Sequence, residues 1–473
     1  MSPLRVWVFA VFCAAGLPAA AWAQATGGQA APQVFTLDQA IQYAVDHYPT
    51  VRAALEQVNA SAAGVNVARA GYLPRLDSLW QSNRATANNI FGQVLPQSVI
   101  PALSGPVLPS ASSQSVWGSA AGALFSWEPF DFGLRNATVV GAEAAVTRAR
   151  AGEALTRLEV QSAVGGAFLS ILGNQRAVTA AQADFDRREI LARTAQTLVD
   201  NQLRPGAEAS RADAERAAAQ TRLIQAQAGL LLAQMTMARV LGMPSGTVSI
   251  DARNLLEQLP VAPVTTAAAP AHPLAQVHQA AVDVAQAQQE VLARADLPRV
   301  FVQSSVFARG SGANPNGQLD GGLGGLGLDR VNWAAGVQVL FPNVFDFTSL
   351  RARKAAATAS ARLETALYDE ALLTINSQQQ ATVAMAQAAR TVAANTPVQL
   401  AAAQQSEAQA RARYQAGLAS IIEVADAQNL LVQAEFQDQL ARVDVWRTLL
   451  AEAVAQGNLT AFLTLLPPPS GVR

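Results

Sequence analysis

The sequence predicts a mixed α/β protein that is mainly helical, with long antiparallel coiled-coil helices, four β-strands and an internal tandem repeat. Three patterns predict this fold. Long segments carry apolar or small residues at alternating three- and four-residue steps, as packed helices do. Shorter segments alternate apolar and polar residues with a period of two, as half-buried strands do. Short motifs from the first half of the chain recur in the second half.

The composition narrows the environment and the partners. The net charge is −1, so there is no electrostatic reason to expect binding to nucleic acid. Charged residues make up only 14% of the chain and 51% of it is apolar. This balance predicts large surfaces that face something other than water.

The first 23 residues are predicted to be a secretory signal peptide, with Arg5 at its positive start and Ala21-Trp22-Ala23 as the cleavage site. Cys13 is the single cysteine and would leave with this peptide, so the exported chain is expected to lack disulfides. No later segment reaches about 18 uninterrupted apolar residues, so a membrane-spanning helix is not expected. Closed β-strands are then the remaining route into a membrane.

The first half of the chain opens with an N-terminal linker, residues 24–35, and continues as a first repeat, residues 36–241. In order, this repeat is predicted to contain helices that end before Pro74, the strand pair 76–84 and 115–127, a long helix 134–200, a tip 201–206 and a return helix 207–241. The seam of the long helix is formed by Leu155, Leu158, Ser162, Gly165, Leu169 and Leu172. At 1.5 Å per residue this helix would be about 100 Å long.

The second half mirrors the first. An equatorial linker, residues 242–273, carries one short helical patch, residues 252–259. The second repeat, residues 274–456, is predicted to contain a helix, the strand pair 300–309 and 331–341, a long helix 347–414, a tip 415–419 and a return helix 420–456. A C-terminal tail, residues 457–473, follows.

Recurring motifs support this tandem duplication. Leu297-Pro298-Arg299 follows Leu73-Pro74-Arg75 at a distance of 224 residues (298 − 74). Phe345-Asp346-Phe347 follows Phe130-Asp131-Phe132 at a distance of 215 residues (346 − 131). The difference is assigned to the loop between the strands, so the two long helices are predicted to have identical lengths.

These features together resemble the TolC-like outer-membrane efflux protein family. The resemblance covers nearly the whole exported chain and rests on the order, spacing and doubling of the motifs. It includes the second tip, Arg413-Tyr414-x-x-Gly417, followed by Glu423 and Asp426. The resemblance implies a homotrimer in which each chain gives four strands to one twelve-stranded β-barrel in outer-membrane lipid, above a periplasmic α-barrel of helices. It also implies a passive duct that receives substrates from an inner-membrane efflux pump through a periplasmic adaptor protein.

In such a trimer the acids near the tips are candidates for a periplasmic aperture. Glu423 and Asp426 are three residues apart, so they share one helix face and could form a cation-favouring ring. Glu208 matches Glu423 in the first repeat, although Arg211 replaces the second acid. The alternative is that these acids complement the positive N-terminus of a helix. Tyr414 could close the aperture by hydrogen bonding across helices, or it could pack a helix end.

The candidate adaptor contacts lie at the two tips: Leu203, Arg204, Pro205, Gly417, Leu418 and Ala419. Apolar residues exposed at a tip favour a partner, whereas a hydrophobic contact at a helix end is the alternative. The sequence departs from the family in three respects. The exported chain has no cysteine for a lipid anchor. Gln202 stands where Gly is usual, so the first turn is expected to rearrange around Pro205-Gly206. Ala419 stands where some members have Arg, so a gating ion pair of those relatives is not carried over.

Other functions receive less support from the sequence. A structural periplasmic coiled-coil or adhesin-like protein without transport is the main alternative, but it would not need the four alternating strands. We find no nucleophile–base arrangement that would indicate an enzyme. The histidines are His47, His272 and His278, and their positions do not suggest a metal site. We therefore expect neither a cofactor nor a catalytic activity.

Overall fold

The computed structural model describes residues 34–88, 95–101, 107, 110–111, 113–243, 248–252, 255–257, 259–260, 268–342 and 346–467. The predicted signal peptide, most of the N-terminal linker and the end of the C-terminal tail lie outside the described residues.

The described chain contains eight α-helices and six β-strands. In chain order they are β1 Val34–Phe35, α1 Leu37–His47, α2 Pro49–Ala70, β2 Arg75–Thr86, β3 Ser115–Phe130, α3 Leu134–Asp200, α4 Gly206–Val240, β4 Ser249–Ile250, α5 Pro273–Ala293, β5 Arg299–Ser311, β6 Arg330–Leu340, α6 Phe347–Gln415, α7 Ile421–Ala455 and α8 Thr460–Leu463. The mainly helical architecture with a β-sheet is confirmed. No helix within these ranges is both long and apolar enough to cross a membrane.

The two longest helices pack against their return helices, α3 against α4 and α6 against α7. Their predicted identical length was wrong, because α3 has 67 residues and α6 has 69. The difference lies at their starts. Phe132 and Gly133 have φ angles of 52° and 91°, which keep them outside α3, whereas Phe347 is already helical in α6. Asp131 fixes the start of α3 by accepting hydrogen bonds from the backbone N–H groups of Gly133 and Arg135.

The four longer strands form one antiparallel sheet in the order β2-β3-β5-β6. The strand β3 continues to Phe130, past the predicted end at residue 127, through an irregularity in its pairing with β5. Residues in one row across the sheet include Gln81, Ala120, Arg309 and Arg330. The strands β2 and β6 are the two edges of this sheet within the chain.

The main hydrophobic core lies where α1, α3, α4 and α7 meet residues 248–252 and 255–256 of the connection between the two repeats. Trp446 and Phe168 are among its largest fully buried side chains, and the Trp446 ring packs edge-on against Phe462 of α8. The strands β1 and β4 pair in parallel beside it, inside segments that the sequence indicated as linkers. The described part of the predicted helical patch is a turn at residues 255–257, not a helix. The Trp446 Nε1 group donates to the carbonyl of Leu255 in this turn.

Candidate functional site at the helical tips

The first tip joins α3 to α4 through a turn at Gln202. Its backbone N–H donates to the carbonyl of Val199 at 2.8 Å, and the N–H of Leu203 donates to Leu198 at 2.8 Å. This pair of bonds is the Schellman arrangement, which places one residue in the left-handed region. Gln202 is that residue, with φ of 60°.

The second tip, between α6 and α7, repeats the same turn. The N–H of Gly417 donates to Tyr414 at 3.0 Å and that of Leu418 donates to Arg413 at 2.9 Å. Gly417 has φ of 78° and is the positional counterpart of Gln202. The expected rearrangement around Pro205-Gly206 was therefore wrong, because glutamine adopts the conformation that glycine has in the other tip.

We predict that Gly417→Ala will destabilise the second tip by about 1 kcal/mol, because an L-residue with a Cβ is strained in the left-handed region. The space around Gly417 is open, so the backbone alone determines this cost. Amide hydrogen exchange measures this loss of stability, and we expect faster exchange at the start of α7. Gly64→Ala is the matched control, because Gly64 lies inside α2 with no atom near the added carbon. This control should leave exchange at the tip unchanged.

The predicted adaptor-contact residues differ in their exposure to solvent. Leu203 and Leu418 are 68% and 73% exposed, and they occupy equivalent positions after the two turns. Pro205 and Gly417 are also exposed. Ala419 is only 7% exposed and packs with Ile421 and Val424, so its side chain does not present a docking surface in this chain.

Arg204 and Tyr414 connect the two tips. The Tyr414 hydroxyl donates to Glu208 Oε2 at 3.1 Å, and Arg204 Nη1 lies 3.6 Å from Glu208 Oε1. The Arg204 guanidinium lies 5.2 Å from the centre of the Tyr414 ring, and its Nη2 donates to the carbonyl of Ala419 at 3.3 Å. Burial and the neighbouring Glu208 raise the pKa of Tyr414, so its hydroxyl remains a donor at neutral pH. Tyr414 is thus both a packed residue and a hydrogen-bond donor across helices.

Glu423 and Asp426 lie on an exposed face of α7, opposite the buried Val424 and Ala425. Glu423 Oε2 is 3.8 Å from Arg413 Nη2, and both side chains are more than half exposed. Glu208 differs from Glu423, its positional counterpart, because it is part-buried in contact with Tyr414. The structure therefore separates the predicted aperture residues into an exposed acidic pair and a cluster between the tips.

A buried ionic network, which was not predicted from the sequence, lies above the tips in the helices that lead to them. Arg188 is 1% exposed and donates from Nε to Asp184, from Nη1 to Glu215 and from Nη2 to Asn429. Asp184 is equally buried and also accepts from Arg222. These bonds join α3, α4 and α7. The four-residue spacing of Asp184 and Arg188 was its only local signal.

Within the described ranges, no group of three His, Cys, Asp or Glu residues is arranged to hold a metal ion. His272 has a structural role. Its Nδ1 accepts from the N–H of Leu274 at the start of α5, and its Nε2 lies 3.1 Å from the carbonyl of Val454. Burial lowers the pKa of His272, which favours the neutral ring that this arrangement needs.

The chain combines two long helical hairpins, α3 with α4 and α6 with α7, with one four-stranded antiparallel sheet. The family model of outer membrane efflux proteins matches residues 40–243 and 267–451 of the chain. The chain therefore belongs to the outer membrane efflux protein family, which places it in the outer membrane and supports a role as an efflux channel.

Solved structures of bacterial channels are similar in fold. The outer membrane protein VceC from Vibrio cholerae is 17% identical, with a TM-score of 0.70 over 89% of this chain and 96% of that one. The MtrE outer membrane channel of Neisseria gonorrhoeae is 16% identical, with a TM-score of 0.71 over 89% of each chain. The CmeC channel of Campylobacter jejuni is 13% identical, with a TM-score of 0.73 over 89% of this chain and 85% of that one. No curated protein sequence is significantly similar to this chain.

Proposed function

We propose that this chain is the outer-membrane channel of a three-part export system, a passive homotrimeric duct that receives substrates from an inner-membrane pump and a periplasmic adaptor. The observation that carries the proposal is the sheet, which has one exposed apolar face and two edges without a partner strand in the chain. The helical part then extends into the periplasm.

One face of the sheet is apolar and the other is more polar, as in a membrane-embedded sheet. Large exposed apolar side chains share one face: Leu76, Trp80, Val306, Val331, Trp333 and Val337. The opposite face carries Gln81, Ser305 and Asn332. Strands in outer-membrane barrels alternate in this way, with apolar side chains toward lipid and polar ones toward the lumen.

Open sheet edges cannot remain in lipid, because each unpaired backbone group would cost several kcal/mol. Pairing of β2 of one chain with β6 of the next would remove both edges, and three chains would give a twelve-stranded barrel. The recurrence of the strand pair and of the tip turn within one chain supports an internal duplication.

The tips are proposed to form the periplasmic aperture and the adaptor contact. Glu423 and Asp426 project from an exposed helix face, and three copies would bring six carboxylates around the axis. The bonds from Arg204 and Tyr414 hold the two hairpins of one chain together, which favours a narrow resting aperture. Leu203 and Leu418 are free to meet an apolar partner surface.

Expression in a Gram-negative host tests the proposed function. We expect the chain in the outer-membrane fraction as a trimer that separates into monomers only on heating, and we expect conductance in planar bilayers. Recovery of a periplasmic protein without conductance would instead support the structural coiled-coil or adhesin-like alternative.

The proposed acidic aperture leads to a separate prediction about the ion selectivity of the channel. Glu423→Gln together with Asp426→Asn should reduce the preference of the channel for cations over anions, because the charged ring is removed. The reversal potential in a salt gradient measures this preference. Asp369→Asn with Glu370→Gln is the control, because these acids are exposed on α6 far from the tip. Equal selectivity of the tip variant and the wild type would contradict an aperture role.

A further inference from the structure

The connection between β2 and β3 contains a segment, residues 95–101, that packs on one face of the sheet. This face carries Gln81, Ser305 and Asn332 and is called the polar face. Val99 and Ile100 are buried against Ala120 and Phe307, with Leu79 and Leu124 beside them. All four sheet residues belong to the polar face, so this segment lies on the side opposite the exposed apolar side chains.

The segment reaches far along the strands. The connection leaves the sheet at Thr86, the end of β2. Leu79, seven residues earlier (86 − 79), nevertheless packs against the cluster that Val99 and Ile100 form with Ala120 and Phe307. At about 3.3 Å per residue this corresponds to about 23 Å along the strand. A surface loop at the end of a hairpin would not need to cover this distance.

Specific bonds hold the segment in this position. The Gln97 side chain accepts from the N–H groups of Val99 and Ile100 at 2.5 and 2.7 Å, and donates to the carbonyl of Ile100 at 2.9 Å. Gln81 of β2 accepts from the N–H of Leu95 at 3.0 Å. In the same region of the polar face Arg309 is only 5% exposed. The segment is therefore built into the sheet face by apolar anchors and by its own hydrogen bonds.

We infer that residues 95–101 form a second constriction, at the outer end of the duct, which limits the size of the molecules that pass. This inference rests on the proposed trimeric channel. Twelve strands spaced about 4.8 Å apart and tilted by about 40° would form a barrel about 24 Å across. Because packed layers lie about 10 Å apart, three inward segments would fill much of that cross-section.

The cleft below the segment allows a direct test. It has a volume of about 400 Å³ and is lined by Ser98, Val99 and Pro101 on one side and by Gln303 and Gln338 on the other. If Cys13 is removed with the signal peptide, a cysteine introduced by Gln303→Cys is the only thiol of the exported chain. A large reagent added outside intact cells does not reach the periplasm, so its labelling of this thiol reports passage through the outer end and not through the periplasmic aperture.

The experiment compares a small maleimide with a maleimide on a long polyethylene glycol chain. We expect the large reagent to label Gln303→Cys at least about tenfold more slowly than the small one, because the constriction excludes it. Adding Val99→Ser and Ile100→Ser should remove most of that difference. Adding Gln97→Ala should reduce it without changing the sheet. Leu95→Ser is the matched control, because Leu95 is exposed, and it should preserve the difference.

Asn316 is exposed in the connection between β5 and β6. The variant Asn316→Cys distinguishes failure of the proposed channel from failure of the outer constriction. Labelling of this variant by both reagents on intact cells supports the placement of the sheet in the outer membrane. Absence of any labelling would overturn the proposed channel. Labelling at Asn316→Cys, combined with equal rates of both reagents at Gln303→Cys in the otherwise unchanged chain, would overturn the outer constriction alone.

Discussion

Replacing Arg188 by methionine is expected to lower the free energy of unfolding by about 3 kcal/mol, because it leaves buried polar partners uncompensated. Asp184 would keep Arg222 but lose its bond to Arg188 Nε. Asn429 of α7 would lose its hydrogen bond from Arg188 Nη2. The loss should appear as a lower midpoint of chemical denaturation, followed by far-ultraviolet circular dichroism of the detergent-purified protein.

Arg193→Met is the control for this experiment. Arg193 lies on the same helix and forms an ion pair with Glu189 four residues away, but its side chain is 77% exposed. Exposed pairs of this kind contribute less than about 1 kcal/mol, so the control should change the midpoint little. Equal effects of the two substitutions would show that the network above the tips is not a significant source of stability.

The long helices could be predicted because their signal is local and repeated. The seam residues Leu158, Gly165, Leu169 and Leu172 recur at helical spacing, and all four are buried. Alternation likewise predicted the four longer strands, since one face of each strand is more apolar than the other. The pairing of β1 with β4 was missed because each strand has only two residues and the partners lie 215 positions apart (249 − 34).

The chemistry of the tips was harder to predict than their position. A glutamine in the left-handed region costs about 1 kcal/mol, and packing elsewhere in a hairpin can offset a cost of that size. The absence of Gly at position 202 therefore did not change the turn. The contact of Arg204 with Tyr414 depends on two residues that are 210 positions apart (414 − 204). No local pattern distinguishes such a contact from two independent exposed side chains.

The largest functional effect is expected for Leu203→Asp combined with Leu418→Asp. Both side chains are exposed at equivalent positions of the two turns, so the substitutions leave the hairpin core intact. In the proposed adaptor contact, burying each carboxylate against an apolar surface would cost several kcal/mol, enough to weaken docking by roughly 100-fold or more. Release of the exported substrate into the medium should therefore fall to the level of a strain that lacks the protein.

The amount of trimer in the outer membrane is the control measurement for this double variant, and it should equal that of the wild type. Leu203→Met with Leu418→Met is the matched variant, because methionine keeps an apolar side chain of similar volume at each tip. It should retain export. Normal export by the aspartate variant, with a normal amount of trimer, would show that Leu203 and Leu418 do not form the adaptor contact. The two leucines would then be ordinary exposed residues at the ends of helices, and the docking surface would have to lie along the helix faces above the tips.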